Sequence, residues 1–385
     1  MKRTHFDDDH EAYRETVREF LAREIEPNYE RWEEERLVDR SAWIAAGESG
    51  IVGLGVPEEF GGSGVTDYRF RHIVQEEIAR TGTTSFGAGL ALQDDIAIPY
   101  ILHLGTEEQK ARWLPALATG ERIGAIAMTE PGAGSDLQGV KTTAVRDGDE
   151  WVINGQKTFI TNGIHSDLVI VVCRTDPSAG SKGFSLIVVE RDTPGFSRGR
   201  KLHKVGLAAQ DTAELVFEDA RVPARNLLGT EGCGFVHLME NLPLERIGIA
   251  VSAITSARAA YEWTAQYVFE RKAFGKPIGD LQNTRFALAE MLTEIEITES
   301  YVDRCVLALN AGELTPVDAS KAKWWATELQ KRVVDRCVQL HGGYGYMMEY
   351  PIGRAYVDAR IQTIYGGTTE IMKEIIGRDI AAGYA

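Results

Sequence analysis

Between about residues 121 and 229 the chain carries short β-rich runs with no helical period between them, while the period on both sides is helical. A parallel sheet needs a crossover helix between successive strands. Strands that follow one another without helices therefore exclude a βαβ arrangement and predict an antiparallel sheet or barrel. The runs fall at 123–128, 151–153, 168–173, 184–189 and 214–217, divided by polar or Gly/Pro turns at 146–149 and 192–195.

Before this region Phe6, Tyr13, Val17, Phe20 and Leu21 recur at helical spacing, and Pro27 stands near the first expected stop. A Gly-rich turn follows at 60–64. Thr106 and Gln109 then have the form of a capping box opening a helix toward Ala118. After Glu231 long helical patterns return at roughly 234–270, 280–311, 316–341 and 367–380, with the apolar stripes and charged faces of an antiparallel bundle. The expected domains are 1–120, helical; 121–230, β; and 231–385, a helical bundle.

Charge narrows the partners. With 42 basic and 57 acidic residues the net charge is −15, which repels a polyanion and argues against nucleic acid. Cys173, Cys233, Cys305 and Cys337 are far apart and form no CxxC pair, which reads as free thiols in a reducing compartment. The start of the chain, MKRTHFDDDHEAY, has neither the apolar core of a secretory signal nor the composition of a transit peptide. No run of about 18 apolar residues predicts a membrane span. A cytoplasmic protein is expected. GxGxxG before a helix, Walker A, HExxH and GxSxG are all absent, and no histidine pair has metal-ligand spacing, so no metal site is expected.

Four stretches remain informative. Met128-Thr-Glu-Pro-Gly-Ala-Gly-Ser-Asp136 follows a strand and offers glycines, hydroxyls and open backbone donors to an anion or a polar cofactor edge. An ordinary turn accounts for it when taken alone. The segment 151–163 reads as a hairpin through Asn154-Gly155, with Phe159 and Thr161 on one face. Such a face can flank a flat ring or simply pack. The segment 271–278, with Gln282 after it, lies between two helices and has the Gly stop and Pro start of a helix–helix turn. Gln339-Leu-His-Gly-Gly-Tyr-Gly-Tyr346 and Tyr365-Gly-Gly-Thr-Thr-Glu-Ile371 carry glycine pairs that let a backbone approach a ligand, and Thr368 can cap the helix after it.

MTEPGAGSD, WVINGQKTFITNG, RKAFGKPIGDLQ, QLHGGYGY and IYGGTTEI stand in one order along nearly the whole chain. In this the sequence resembles the acyl-CoA dehydrogenases, and within them the long-chain enzymes through AMTEPGAGSDLQG, GRKLHKVGL, AQDTAEL and YGGTTEIMKE. The resemblance implies an α+β, mainly α fold: an N-terminal helical domain, a middle antiparallel β domain and a C-terminal four-helix bundle. It implies non-covalent FAD, an acyl-CoA substrate, an electron-transfer flavoprotein as acceptor and a homotetramer. Carried over by position, Met128, Thr129, Gly134 and Ser135 line the flavin, with Phe159, Ile160 and Thr161 against its ring. Arg271, Phe274, Gln282, Gln339, Leu340, Gly342 and Gly343 hold the pyrophosphate and adenosine side across a subunit interface, and Thr368, Thr369 and Glu370 complete the site. Ser135, Ser181, Lys182, Val236, Pro243, Arg246, Gly366 and Gly367 fall on the substrate side.

The family reaction removes a proton from Cα of an acyl thioester and a hydride from Cβ, so a carboxylate is needed near Cα. In many relatives it is the Glu of a Tyr-Glu-Gly-Thr stretch; here Gly366 holds that position. A second family solution sets the Glu in a Leu-x-x-Glu-Arg stretch, and Leu242-Pro-Leu-Glu-Arg246 matches it, which makes Glu245 the expected base. Ala88 and Leu92, small and apolar on the helix expected at about 87–103, favour a long or branched tail, whereas Asp94 and Asp95 are expected on its solvent face. An acyl-CoA oxidase, a flavin monooxygenase and a non-catalytic acyl-CoA-binding relative are the competing readings on the same scaffold.

Overall fold

A computed structural model describes residues 3–384. Seven helices come first: α1 (Asp8–Phe20), α2 (Glu26–Glu35), α3 (Arg40–Glu48), α4 (Tyr68–Thr81), α5 (Thr84–Leu92), α6 (Ile98–Leu104) and α7 (Glu107–Ala118). Pro27 does not stop a helix. It lies in the first turn of α2, where its missing N–H leaves nothing unpaired, and a π-helical turn, Leu21–Ile25, joins α1 to α2. The capping box at α7 forms as expected: the Gln109 amide N–H donates to Thr106 Oγ1 at 3.3 Å, and the Thr106 N–H to Gln109 Oε1 at 2.9 Å. Phe20, Trp32, Trp43 and Phe86 fill the core of this region.

The middle region holds β1 (Gly124–Ala127), β2 (Thr143–Asp147), β3 (Glu150–Thr161), β4 (Leu168–Arg174), β5 (Phe184–Glu190), β6 (Phe196–Lys201), β7 (Thr212–Pro223) and β8 (Leu227–Leu228). They form one sheet in the order β6-β7-β3-β2-β4-β5-β8, with β1 beside β4. No α-helix interrupts the strands. Pairing is antiparallel except that β1 runs parallel to β4 along its length and β2 meets β4 at one parallel position, so the sheet is mixed. Asn154-Gly155 is not the hairpin turn expected from its sequence. The chain turns at Gly148 between β2 and β3, and β3 passes straight through Asn154. The Asn-Gly pair instead makes an irregularity against β7. Asn154 Nδ2 donates to Asp219 Oδ1 at 3.0 Å and its Oδ1 accepts from the Asp219 N–H at 2.8 Å, while Thr142 packs where a Gly155 Cβ would stand.

Past Cys233 come α8 (Gly234–Glu270), the short strands β9 (Lys272–Ala273) and β10 (Lys276–Pro277), α9 (Gln282–Asn310), α10 (Pro316–His341), α11 (Pro351–Ala359) and α12 (Thr369–Ala382). Ala250, Ala253, Ala257 and Ala260 of α8 and Ala319, Ala322 and Ala326 of α10 are buried in one core, and such small side chains let two helices lie close. The chain is mainly helical around a central mixed sheet. All four cysteines are free, and no described helix is long and apolar enough to cross a membrane.

Candidate active site

A cavity of about 1310 Å³ is bordered by the sheet, α4, α5, α8 and the turn before α12. Met128, Thr129, Gly134, Ser135, Phe159, Ile160 and Thr161 line it. Two buried side chains that sequence reasoning missed hold this wall. Lys157 Nζ donates to the Met128 carbonyl at 3.1 Å and to Glu130 Oε1 at 2.8 Å, and the Glu130 carboxylate accepts the N–H groups of Lys141 and Thr142. Pairing of β3 with β7 breaks between Lys157 and Ile160, and Phe159 there adopts φ 60°. The residue is left 67% exposed, so Phe159 is not a core residue.

Glu245 and Arg246 border the same cavity from α8, two and three residues after Pro243. Glu245 is buried, and Tyr100 of α6 donates its hydroxyl hydrogen to Glu245 Oε1 at 3.0 Å. Burial pushes the carboxyl pKa up to about 7, against the smaller opposing pull of the Tyr100 hydrogen bond and of Arg246. A pKa near neutrality suits a proton acceptor. Arg246 is buried too; its Nε has no hydrogen-bond partner among the described residues, and burial draws its pKa down.

Gly366, Gly367 and Thr368 border the cavity as a tight turn. Gly366 and Gly367 adopt φ of 63° and 99°, and a Cβ on Gly366 would overlap Ile249 Cδ1, one helical turn after Glu245. Lys323 of α10, fully buried, donates to the Gly367 carbonyl at 2.6 Å. Burial, with Arg246 nearby, lowers its pKa to about 7. Thr368 caps α12, accepting from the Ile371 N–H at 3.4 Å, and Thr369 Oγ1 donates to Glu328 Oε1 at 2.8 Å.

Other expected site residues stand elsewhere. Arg271 and the 339–346 segment are neighbours, the Arg271 guanidinium lying 5.7 Å from the Tyr344 ring centre. With Phe274, Gln282, Gln339, Leu340, Gly342 and Gly343 they form a region outside the cavity lining, where Phe274 is 93% exposed. Thr369 and Glu370 also lie outside the lining, as do Ser181 and Lys182 in the turn between β4 and β5. Val236 is exposed and neither it nor Pro243 lines the cavity; Phe235, Met239 and Leu242 present that face of α8 instead.

Ala88 and Leu92 line the cavity as expected, but Asp94 and Asp95 do not face solvent. Both side chains are buried in the π-helical turn Gln93–Ala97, Asp95 bordering the cavity, because Arg71 of α4 pairs with Asp94 at 3.0 Å and Asp95 at 3.2 Å, and the Gly53 N–H donates to Asp94. Outside the cavity lining His5, His72 and Asp303 gather closely enough to suggest a metal, but the Arg3 guanidinium reaches in among them. Its Nε donates to Asp303 at 2.6 Å and its terminal nitrogen lies 3.1 Å from His72 Nε2.

Known proteins share this arrangement. Family models described as the acyl-CoA dehydrogenase N-terminal, middle and C-terminal domains match residues 7–121, 125–220 and 232–381. The long-chain specific acyl-CoA dehydrogenase, mitochondrial, of Sus scrofa is 51% identical over 377 residues, covering 97% of this chain and 87% of that protein. The crystal structure of an acyl-CoA dehydrogenase from Geobacillus kaustophilus is similar with a TM-score of 0.96 and 51% identity, over 98% of this chain and 100% of that one. An acyl-CoA dehydrogenase complexed with FAD from Bacillus anthracis has a TM-score of 0.92 and 34% identity, over 98% of this chain and 67% of that one.

Proposed function

The chain belongs to the acyl-CoA dehydrogenase family, and on that premise we propose that it oxidises long-chain or branched acyl-CoA thioesters to trans-2-enoyl-CoA, with Glu245 as the base that takes the Cα proton. It is a flavoprotein oxidoreductase that uses FAD. The residues present fit that group: the bare Phe159 ring beside the cavity suits a flat heterocycle, and open space at the Cβ positions of Gly132 and Gly134 leaves their backbone accessible to a ligand edge. Met128, Thr129, Gly134, Ser135, Ile160, Thr161 and Thr368 would hold it with Phe159. When bound, FAD supplies the acceptor for the hydride that leaves Cβ.

The observation that carries the proposal is a buried carboxylate, held by Tyr100 and poised near neutral pH, on the wall of this cavity while Gly366 is bare. Glu245 takes the proton; the Gly366 N–H and the cation of Arg246 favour the negative charge that develops on the thioester oxygen. The tail runs along Ala88, Ala91, Leu92 and Ile96, where each buried methylene stabilises by about 0.8 kcal/mol. The exposed Arg271–Tyr346 region needs a second copy of the chain to join a flavin, which supports a homotetramer with Arg271, Phe274, Gln282, Gln339, Gly342 and Gly343 facing the neighbour's cofactor. An electron-transfer flavoprotein as acceptor, a cytoplasmic setting and the domain limits 1–120, 121–230 and 231–385 belong to the same reading.

Anaerobic bleaching of the purified flavoprotein by octanoyl-, palmitoyl-, isovaleryl- and steroid side-chain-CoA tests it. Palmitoyl-CoA should bleach fastest. Bleaching by none of them overturns the activity, and fastest bleaching by octanoyl-CoA overturns the long-chain preference.

A further inference from the structure

The far end of the cavity is polar in a way that a plain hydrocarbon tail does not need. Glu245 and Ser256 border the cavity from the same helix, and the eleven helical rises from one to the other span about 16 Å at roughly 1.5 Å each. That is room for about a dozen carbons beyond the base, taking roughly 1.3 Å of advance from each C–C bond. Gln75 of α4 and Gln330 of α10 border the cavity along with Ser256, and both are 3% exposed. Gln75 Nε2 and Gln330 Oε1 are sealed from solvent without a hydrogen-bond partner among the described residues. Two polar side chains that border the cavity with them are already engaged: Thr84 Oγ1 donates to Asp358 Oδ2 at 2.7 Å, and Asp358 Oδ1 accepts the Leu207 N–H at 2.5 Å. A void of about 20 Å³ adjoins the same end, bordered by Ala79, Thr84, Ser256 and Gln330, and holds one water-sized group.

Two buried primary amides that each keep one polar atom without a protein partner are uncommon, because an unmet polar atom is costly to bury. Resting on the dehydrogenase reading above, we propose that this enzyme takes long acyl-CoA thioesters carrying a hydroxyl at the distal end of the chain, with Gln75 and Gln330 as the residues that recognise it. A hydroxyl donates and accepts at once, so it pairs with an amide whichever way that amide is turned. The thioester end binds as before, and the chemistry at Cα and Cβ is unchanged.

The test compares palmitoyl-CoA with its ω-hydroxy counterpart in anaerobic flavin reduction, using the FAD-loaded protein and the Gln75→Leu and Gln330→Leu variants. The unaltered enzyme should show the higher reduction rate over Kd with the hydroxylated chain. Each substitution should move the ratio of the two substrates toward the plain chain by roughly tenfold, since a site built to bond a hydroxyl discriminates through the polar groups left unpaired. Equal or poorer use of the hydroxylated chain by the unaltered enzyme overturns the inference, even if neither variant folds. A ratio that neither substitution moves also overturns it, and assigns the amides to trapped water. Failure of both thioesters to reduce the flavin overturns the dehydrogenase reading instead.

Discussion

The first third of α8 and the turn before α12 border one cavity, yet one brings a carboxylate to it and the other a bare backbone. Glu245 sits in regular helix, where a long side chain costs little, and burial alone raises its affinity for a proton. Gly366 and Gly367 have backbone angles that disfavour a side chain, and Ile249 fills the place of any Cβ at 366. Lys323 pins that turn through the Gly367 carbonyl. A base and an N–H-donating turn thus make incompatible demands on residue 366 here. The helix supplies the proton acceptor and the turn is left to supply donors.

The largest effect should come from removing the acceptor. Glu245→Gln keeps the size of the side chain and a partner for Tyr100, so the protein should fold, stay yellow and bind acyl-CoA. Its flavin reduction should fall at least about 10²-fold, the contribution of one positioned acid–base group. Stopped-flow reduction under anaerobic conditions measures this, and a near-normal rate would move the base away from α8.

Next in size is the turn. Gly366→Ala places a Cβ at φ 63° and against Ile249, with a strain of about 1–2 kcal/mol from the left-handed backbone. Thermal melting should drop by a few degrees, and reduction should slow roughly tenfold at every pH because the donor turn shifts. Adding Ile249→Ala should recover part of the rate, since it removes the overlap but not the backbone strain. If Gly366→Ala behaves like the parent in both measurements, the contrast between helix and turn is not a matter of conformation.

Local signals in the sequence reached far. The four long bundle helices, the five β-rich runs and the caps at Thr106 and Thr368 depend on periodicity or on residues three apart, and all are present. What was not legible depends on partners distant in the chain. Asp94 and Asp95 look like a solvated pair until Arg71, more than twenty residues earlier, turns them inward. Asn154-Gly155 has the composition of a hairpin turn, but Asp219 and Thr142 make it a bulge within a continuous strand. Of the supports of the cavity, Tyr100 and Lys323 belong to no motif, and Lys157 lies inside WVINGQKTFITNG without a local signal of its partner; the roles of all three follow only from packing. Val236 and Pro243 lie near the cavity in sequence, yet the helix period presents Phe235, Met239 and Leu242 to it.

The smallest effect should be the most diagnostic of how α8 tunes its carboxylate. Tyr100 donates to the ionised form of Glu245, so it pulls the pKa down against the dominant effect of burial. Tyr100→Phe removes that donor and leaves the ring, and the Glu245 pKa should then rise above its value of about 7. Reduction needs the ionised base, so the rate climbs as pH rises through that pKa, and the climb should move to higher pH. A hydrogen bond to a charged group is worth about 1.5–3 kcal/mol, so the displacement should be roughly one unit or somewhat more. At neutral pH a displacement of one unit makes the variant about fivefold slower, and well above its new pKa it should approach the parent rate, unlike Gly366→Ala, whose deficit persists at every pH. A loss of the same size across the whole profile would instead mean that Tyr100 only packs against the helix, and that burial alone sets the proton affinity of Glu245.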